Sequence, residues 1–281
     1  MVTANQDIRP PGYPYFLSAE WTLPYRHDRI VELLAAEPRH DTASFARIQA
    51  DVESKAVAEM LPVLLAAKAT SAAGGAALER LRAWDAGMTA DAPEPLIATA
   101  WIDRLRRQVF EDEVGEDLFP LLERQRVRTR ALLRAMTMPE QAGWCDDVRT
   151  PEKETCPQQL ESALEAAMQD LSARYGSDVS AWRWGSAHVA VSEHRPFSRN
   201  ALLARLFEIR VPSPGDVHTV NVGRSNPWDP AEPFANRWAA SLRDMAHGPL
   251  RFSPALMDVP SCTPSLSRFR ILVRHHRHCF Q

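Results

Sequence analysis

The sequence has few glycines, no long hydrophobic run and no large excess of charge of either sign. It contains 11 Gly against 22 Pro in 281 residues, which favours helices joined by extended connections over a β protein with glycine turns. No apolar stretch approaches the ~18 residues that a membrane-spanning helix needs. The net charge of -3 gives no electrostatic reason to expect nucleic acid or an anionic membrane as a partner.

Helical patterns dominate the first 175 residues. Apolar residues recur at helical spacing in His27–Leu34, Thr42–Leu64, Ala76–Trp84, Ile97–Val109, Leu118–Met136 and Gln158–Tyr175. Thr42 is the expected N-cap of the second of these helices, and Pro62 is expected to kink or break it. Gly176 is the expected end of the last one.

Strand patterns follow Gly176. The segments 188–191, 206–211 and 218–222 alternate and contain β-branched residues, which predicts strands. We expect Trp182 and Trp184 to lie on one face of a strand-like stretch and to pack in the core, with His188 hydrogen-bonded inside. Asp216 is expected to be a turn acid that fixes the last strand. Many helices followed by a few strands, at about 180–224, predict the α+β class.

Cys145 and Cys156, two of four cysteines, lie close together in a polar, loop-like segment. In an oxidising compartment they would form a disulfide, and in the cytosol they would remain free thiols. The spacing leaves both states open. A single pair of this kind, without a second pair, is poor evidence for zinc.

Two clusters contain residue types that ligate metals. Their members are Asp146, Asp147, Glu152 and Glu154 in one cluster, and His275, His276, His278 and Cys279 in the other. The carboxylates lack the spacing of an EF-hand. The histidines could ligate zinc or copper, but no carboxylate lies within sequence reach to orient them, so a chance cluster is the preferred interpretation. No metal site is predicted.

An ordered string of polar and aromatic motifs has no explanation in helix or strand periodicity. The motifs are V-T-A-N-Q (Val2–Gln6), P-Y-R-x-D-R-I (Pro24–Ile30), F-A-R-I-Q-A-D-V-E-S (Phe45–Ser54), W-C-D-D (Trp144–Asp147), T-P-E-K-E-T-C (Thr150–Cys156), W-R-W-G-S-A-H (Trp182–His188), G-D-V-H-T-V-N (Gly215–Asn221), P-F (Pro233, Phe234) and A-S-L-R (Ala240–Arg243). In this order they resemble the C-terminal part of the large (β) subunit of penicillin acylases, also called penicillin amidases. These are N-terminal-nucleophile (Ntn) amide hydrolases.

The resemblance implies both a fold and an activity. The implied fold is the mostly helical C-terminal portion of an αββα Ntn-hydrolase fold. The implied reaction is hydrolysis of an acyl amide, such as a β-lactam side chain or an N-acyl compound, through an acyl-enzyme. In such enzymes a Ser at a new N-terminus attacks the carbonyl, and its own α-amino group is the base.

Further properties of the parent enzyme follow from the same resemblance. It implies a periplasmic or secreted protein linked to antibiotic biosynthesis, with a small (α) subunit as partner. It implies Ca²⁺ in the parent, held chiefly by residues upstream of this stretch, and no cofactor here. It also favours a disulfide between Cys145 and Cys156, because similar chains carry both cysteines.

We expect this stretch to lack the nucleophile, because Val2 has no hydroxyl and the amine of Thr3 lies in a peptide bond. The chain is then a fragment that is inactive without the missing N-terminal portion and the small subunit. The resemblance places the oxyanion-stabilising position at Asn5, with Gln6 and Asp7 as the alternative registers, in a short segment ahead of Tyr13 and Pro14. The alternative is that Asn5 only holds a turn.

Residues 246–281 differ in composition from residues 1–245. They contain five Arg, four Pro and a single acid, Asp258. We expect residues 1–245 to be the acylase-like portion and the rest to be an atypical tail that is frameshifted or disordered. Two other functions stay open: a non-catalytic helical module that binds a ligand or partner, and a metal-binding protein that works through the His-rich tail.

Overall fold

Two long helices, α5 and α8, contribute much of the core. The computed structural model describes residues 2–123, 128–227 and 229–240. Its α-helices are α1 Tyr25–Ala35, α2 Thr42–Gln49, α3 Lys55–Leu64, α4 Ala72–Arg82, α5 Glu94–Val114, α6 Phe119–Glu123, α7 Arg128–Thr137, α8 Cys156–Tyr175, α9 Trp184–Ala187 and α10 Ala201–Phe207. Its strands are β1 Val189–Ser192, β2 Ile209–Pro212, β3 Gly223–Arg224 and β4 Trp238–Ala239. Short 3-10 helices span Pro139–Cys145, Val179–Ala181 and Phe197–Arg199.

The buried faces of α5 and α8 follow from the spacing of their apolar residues. In α5 every fourth residue from Ile97 to Val109 is buried, as a helix face requires. α8 buries its leucines and Met168. The fully buried Trp101 joins the two helices, because its indole N–H donates to the carbonyl of Leu160 at 3.0 Å. Burying a large apolar side chain stabilises the fold by roughly 1.5–3 kcal/mol, so this pair contributes much of the stability of a core that α3, α4 and α7 complete.

The predicted helix ends are partly confirmed. Gly176 ends α8 with φ of +87°, a conformation that glycine adopts without strain. The prediction of Thr42 as N-cap is wrong by one residue. Asp41 accepts from the backbone N–H of Ser44 at 2.7 Å, and the hydroxyl of Ser44 accepts from the N–H of Asp41 in return.

The prediction of one helix broken at Pro62 is wrong. α2 ends at Gln49 and α3 begins at Lys55, whereas Pro62 lies inside α3, two residues before its end. The break comes earlier because the intervening segment pairs elsewhere: Glu53 forms an antiparallel bridge with Gly87. Tertiary pairing therefore decided the boundary.

The predicted helix Leu118–Met136 is described as two helices, α6 and α7, with residues 124–127 outside the described ranges. Two of the predicted strands are confirmed in part: β1 pairs with β2 in antiparallel register, from Val189 opposite Pro212 to Ser192 opposite Ile209. The residues before β2 form α10 instead of extending that strand.

The third predicted strand, 218–222, is wrong, because that segment forms a turn. β3 follows it and pairs with β4. Helices with a few short antiparallel strands confirm the α+β class. Within the described ranges, no helix has the length and apolar character needed to cross a bilayer. The predicted boundary at 245 and the tail 246–281 lie outside the described residues.

Candidate functional site

The backbone around Asn5 is fixed, and its side chain projects from it. Ala4 and Gln6 on either side are buried, whereas Asn5 is exposed. Gln6 forms a parallel bridge with Thr22, and the N–H of Thr22 donates to the carbonyl of Asn5 at 2.9 Å. Asn5 has φ of +66°, in the left-handed region that Asn tolerates better than most residues. The conformation turns the Asn5 side chain away from its buried neighbours.

Arg26, in the first turn of α1, holds the side chain of Asn5. Its Nη2 donates to Oδ1 of Asn5 at 2.7 Å and to the carbonyl of Ala4 at 2.9 Å. Because the guanidinium engages the amide oxygen, the Nδ2 end of Asn5 is directed to act as a hydrogen-bond donor. The positive charge also polarises the amide, which strengthens any bond from Nδ2 to a developing negative charge.

The sequence interpretation missed Arg26. It lies in the P-Y-R-x-D-R-I motif, which supported the family resemblance without a role for any of its residues. A contact across 21 positions between a loop and a helix has no periodic signal, so only the folded chain brings Arg26 to Asn5. The structure is compatible with both interpretations of Asn5, because the same residue adopts the left-handed turn and presents its amide.

α1 is fixed from its buried side by Tyr25. The hydroxyl of Tyr25 donates to Oε2 of Glu59 in α3, and its ring packs edge-on against His218 with centroids 5.4 Å apart. Burial first, and then the neighbouring Glu59 carboxylate, raises the pKa of Tyr25 to about 12. Tyr25 therefore stays protonated at neutral pH and acts as a positioning group for the helix that holds Arg26.

A second anchor of α1 is charged. Arg29 donates from Nε and Nη2 to the two carboxylate oxygens of Asp51, at 3.1 and 2.8 Å, and also contacts Glu53 at 2.8 Å. The hydrogen bond to Asp51 is the main cause that raises the pKa of Arg29. Two carboxylates around one partly buried guanidinium give this pair more weight than an isolated surface ion pair. α1 is thereby tied to the connection between α2 and α3.

The G-D-V-H-T-V-N motif forms a tight turn. One carboxylate oxygen of Asp216 accepts from the N–H groups of His218 and Thr219, at 2.7 and 2.8 Å. The other accepts from the hydroxyl of Ser54 at 2.7 Å, which joins the turn to the start of α3. Gly215 has φ of +85°, and an added Cβ there would collide with the carbonyl of Asn221. The expectation of a turn acid at Asp216 is confirmed, but the strand that the turn holds is β3 and not residues 219–221, because the N–H of Gly223 donates to the carbonyl of Asp216 at 2.9 Å.

The tryptophan motif is part of the core, as predicted, although its backbone is not strand-like. Trp182 follows a 3-10 helix and Trp184 begins α9, and both are buried. His188 is fully buried and stacks on Trp184 with ring centroids 4.4 Å apart. Its Nδ1 lies 2.7 Å from the carbonyl of Phe234. Burial lowers the pKa of His188 to about 4, so the ring is neutral at pH 7 and its Nδ1–H donates to that carbonyl.

Cys145 and Cys156 are joined by a disulfide in the structure. It ties the 3-10 helix Pro139–Cys145 to the first residue of α8. The acidic residues between the two cysteines stabilise the loop. Oε2 of Glu154, for example, accepts from the N–H of Asp147 at 3.0 Å, and Asp147 binds Arg149.

Of the two clusters with metal-ligating residue types, the structure describes the acidic one and not the histidine-rich one. Within the described ranges, no three or more His, Cys, Asp or Glu side chains come together as a metal-ion site. His275, His276, His278 and Cys279 lie outside those ranges.

Comparison with known proteins identifies relatives of this chain. The sequence profile described as penicillin amidase matches residues 1–249. Over 204 residues the chain is 33% identical to acyl-homoserine lactone acylase QuiP of Pseudomonas aeruginosa, which covers 66% of this chain and 24% of that protein. It is 29% identical over 204 residues to the protein of the same name from Pseudomonas fluorescens (66% and 25% covered). It is 28% identical over 207 residues to that of Pseudomonas syringae pv. syringae (67% and 25%). The chain spans about a quarter of the length of these curated relatives.

Proposed function

This chain belongs to the penicillin amidase family, and from that premise we propose that it forms part of an enzyme that hydrolyses the amide bond of an N-acyl compound. N-acyl homoserine lactones are the proposed substrate class, because the relatives named above are acyl-homoserine lactone acylases. The side-chain amide of a penicillin is the comparison substrate, since the family is named for that reaction.

The contact between Arg26 and Asn5 is the observation that supports this function best. In acyl transfer, attack on the amide carbon places negative charge on the carbonyl oxygen, and a donor already aimed at that oxygen stabilises it. Asn5 has its amide oxygen fixed by Arg26 at 2.7 Å and its backbone fixed by Thr22. Its Nδ2–H is therefore the proposed oxyanion donor, and Arg26 is the proposed positioning residue.

The proposed nucleophile is an N-terminal Ser supplied from outside this stretch. Its hydroxyl oxygen bonds to the amide carbon, its α-amino group takes the hydroxyl proton, and the amine of the substrate leaves with a proton. Water then hydrolyses the acyl-enzyme and releases the carboxylic acid. This assignment rests on the family and on the share of the relatives that the chain covers. We therefore propose that the chain alone is inactive and needs the N-terminal portion and the small subunit.

A periplasmic or secreted location is also part of the proposal. It is supported by the disulfide between Cys145 and Cys156, because such bonds persist in oxidising compartments and are reduced in most cytosols.

The test compares this chain alone with the chain assembled with the remaining acylase segments. Release of homoserine lactone from N-decanoyl homoserine lactone is followed by chromatography, with a penicillin as the second substrate. We expect turnover by the assembled enzyme and none by the chain alone. Ordinary turnover by the chain alone, pure by mass, would overturn the proposed dependence on outside residues.

Variants of Asn5 separate its two interpretations. Asn5→Gly keeps the left-handed turn and removes the amide, and Asn5→Asp keeps an oxygen for Arg26 but removes the N–H donor. In the assembled enzyme we expect both to lower kcat by about 100- to 1000-fold, the usual cost of losing one oxyanion donor. Full activity of Asn5→Gly would show that Asn5 is needed only for the turn.

A further inference from the structure

A cavity of about 530 Å³ opens between α5, α6, α8 and the proline-rich segment that leads to β4. None of its lining residues belongs to the Asn5 site. Its volume falls within the roughly 300–1,000 Å³ typical of small-molecule sites. Its inner wall is apolar, because Ala167 and Leu171 of α8 and Phe119 of α6 are buried there.

The polar part of the cavity has an excess of positive charge. Its lining includes four guanidinium groups and two carboxylates. The guanidinium groups belong to Arg104, Arg106, Arg107 and Arg174, and the carboxylates to Asp103 and Asp170.

Three of these guanidinium groups have a carboxylate partner. Arg104 pairs with Asp170, Arg106 with Asp103 at 2.6 Å, and Arg107 with Glu111 at 3.0 Å.

Arg174 differs from the other three. Its Nη2 donates to the backbone carbonyl of Pro230 at 3.0 Å, which is a neutral acceptor. Among the described residues, no carboxylate forms an ion pair with it. The side chain is exposed at the rim, while Leu171, one turn earlier on the same helix, is buried at the wall. The rim therefore presents a positive charge directly above an apolar interior.

We propose that this cavity binds an amphiphilic carboxylate, with its apolar body against Ala167, Leu171 and Phe119 and its carboxylate on Arg174. The guanidinium fork matches a carboxylate with two parallel hydrogen bonds, and the ligand's negative charge compensates the positive charge of Arg174, with which no carboxylate of the described residues pairs. The apolar wall selects against small hydrophilic anions such as acetate, and the charged rim selects against cations. This binding is independent of the acylase activity and of the Asn5 site.

The test is a titration of the purified chain with sodium decanoate, followed by calorimetry and by chemical shifts of backbone amides. We expect saturable binding to one site, with the largest shifts at Phe119, Ala167 and Leu171. 1-Decanol should bind the same site more weakly, since it lacks the charge, and decyltrimethylammonium should bind more weakly still. Lack of saturation, or shifts that map elsewhere, would overturn the proposal.

Two matched variants test the role of Arg174. Arg174→Gln should weaken decanoate binding about tenfold, the loss expected for a hydrogen bond to a charged group, and change 1-decanol binding less than twofold, about the limit of measurement. Arg183→Gln is the control, because Arg183 is also exposed and also donates to backbone carbonyls, but it does not line the cavity. If both variants weaken decanoate binding equally, the loss of affinity follows from the change in net charge, and the assignment of Arg174 as the carboxylate-binding residue is refuted.

Discussion

The α5–α8 pair and the Asn5 segment are held in place by different forces. The helix pair is held mainly by the apolar side chains that both partners bury; in addition, the indole of Trp101 donates to Leu160 and Arg104 pairs with Asp170. The Asn5 segment is held by hydrogen bonds to its backbone and by one guanidinium, and its own side chain stays exposed. Burial of large side chains stabilises by several kcal/mol in total, whereas a net hydrogen bond contributes about 1 kcal/mol.

This difference separates stability from function. Changes in the helix pair should unfold the chain, and any loss of activity would follow from unfolding. Changes in the Asn5 segment should leave the fold intact and act on the proposed chemistry directly. The largest loss of free energy of unfolding is expected in the helix pair.

Trp101→Ala should have the largest effect. It removes a fully buried side chain and leaves the Leu160 carbonyl without its indole partner, which should lower the free energy of unfolding by about 3–5 kcal/mol. Urea unfolding followed by circular dichroism measures this. The control is Trp238→Ala in β4, where the same side chain is about half exposed. A similar loss for the two variants would contradict the assignment of the core to the helix pair.

His188 is a titratable group inside the apolar region, so its effect depends on pH. Its pKa is lowered to about 4 in the folded chain, against an ordinary value of 6.5. Between pH 6.5 and 4 the unfolded chain binds a proton that the folded chain does not. The free energy of unfolding should therefore fall as the pH drops through this window, by about 3 kcal/mol in total.

The measurement for His188 is urea unfolding at several pH values between 7 and 4. His188→Gln should flatten the part of the pH dependence that comes from this ring, whatever its effect on stability at pH 7. The control is His194→Gln, which replaces an exposed histidine in the β1–β2 connection. An unchanged pH dependence in His188→Gln would refute the role of the buried ring.

The disulfide stabilises the polar loop that leads into α8. Reduction should lower the free energy of unfolding by about 2–4 kcal/mol, because the bond closes a short loop and restricts the unfolded chain. Thermal unfolding with and without dithiothreitol measures the loss. The double variant Cys145→Ala, Cys156→Ala should be insensitive to the reductant. If reduction leaves the midpoint of the wild-type chain unchanged, the bond contributes nothing to stability.

The sequence predicted the apolar helix pair better than the segments that are held by hydrogen bonds. Apolar spacing located α5 and α8 well, because a buried helix face repeats every three to four residues and leaves a periodic trace. The end of α8 at Gly176 was predictable from local chemistry. The break before Ser54 was not, because pairing with a distant segment decides it. The alternation of residues 218–222 predicted a strand, which is wrong because hydrogen bonds to the carboxylate of Asp216 favour a turn there.

The candidate site was predictable only as far as the motif resemblance extended. That resemblance pointed to Asn5, but nothing in the local sequence specifies that Arg26 binds its amide oxygen. The contact depends on how α1 is anchored, through Tyr25 to Glu59 and through Arg29 to Asp51. Each of these contacts joins residues far apart in sequence, so they are consequences of the assembled fold.

Arg26 should have the smallest effect on stability and still affect the proposed chemistry. Arg26→Gln loses one partly exposed set of hydrogen bonds, so the free energy of unfolding should fall by about 1 kcal/mol or less. In the assembled enzyme kcat should fall by roughly tenfold with KM unchanged, because Asn5 loses orientation that matters mainly in the transition state. Arg26→Lys keeps the charge but not the planar fork, and should recover only part of the rate.

The control is Arg29→Lys, one turn along α1, which weakens the ion pair with Asp51 and should cost stability with little change in kcat. The contrary outcome is that Arg26→Gln destabilises the chain more than Arg29→Lys does and leaves kcat unchanged. Arg26 would then be a structural residue, and the Asn5 segment would contribute to stability and not to the proposed chemistry.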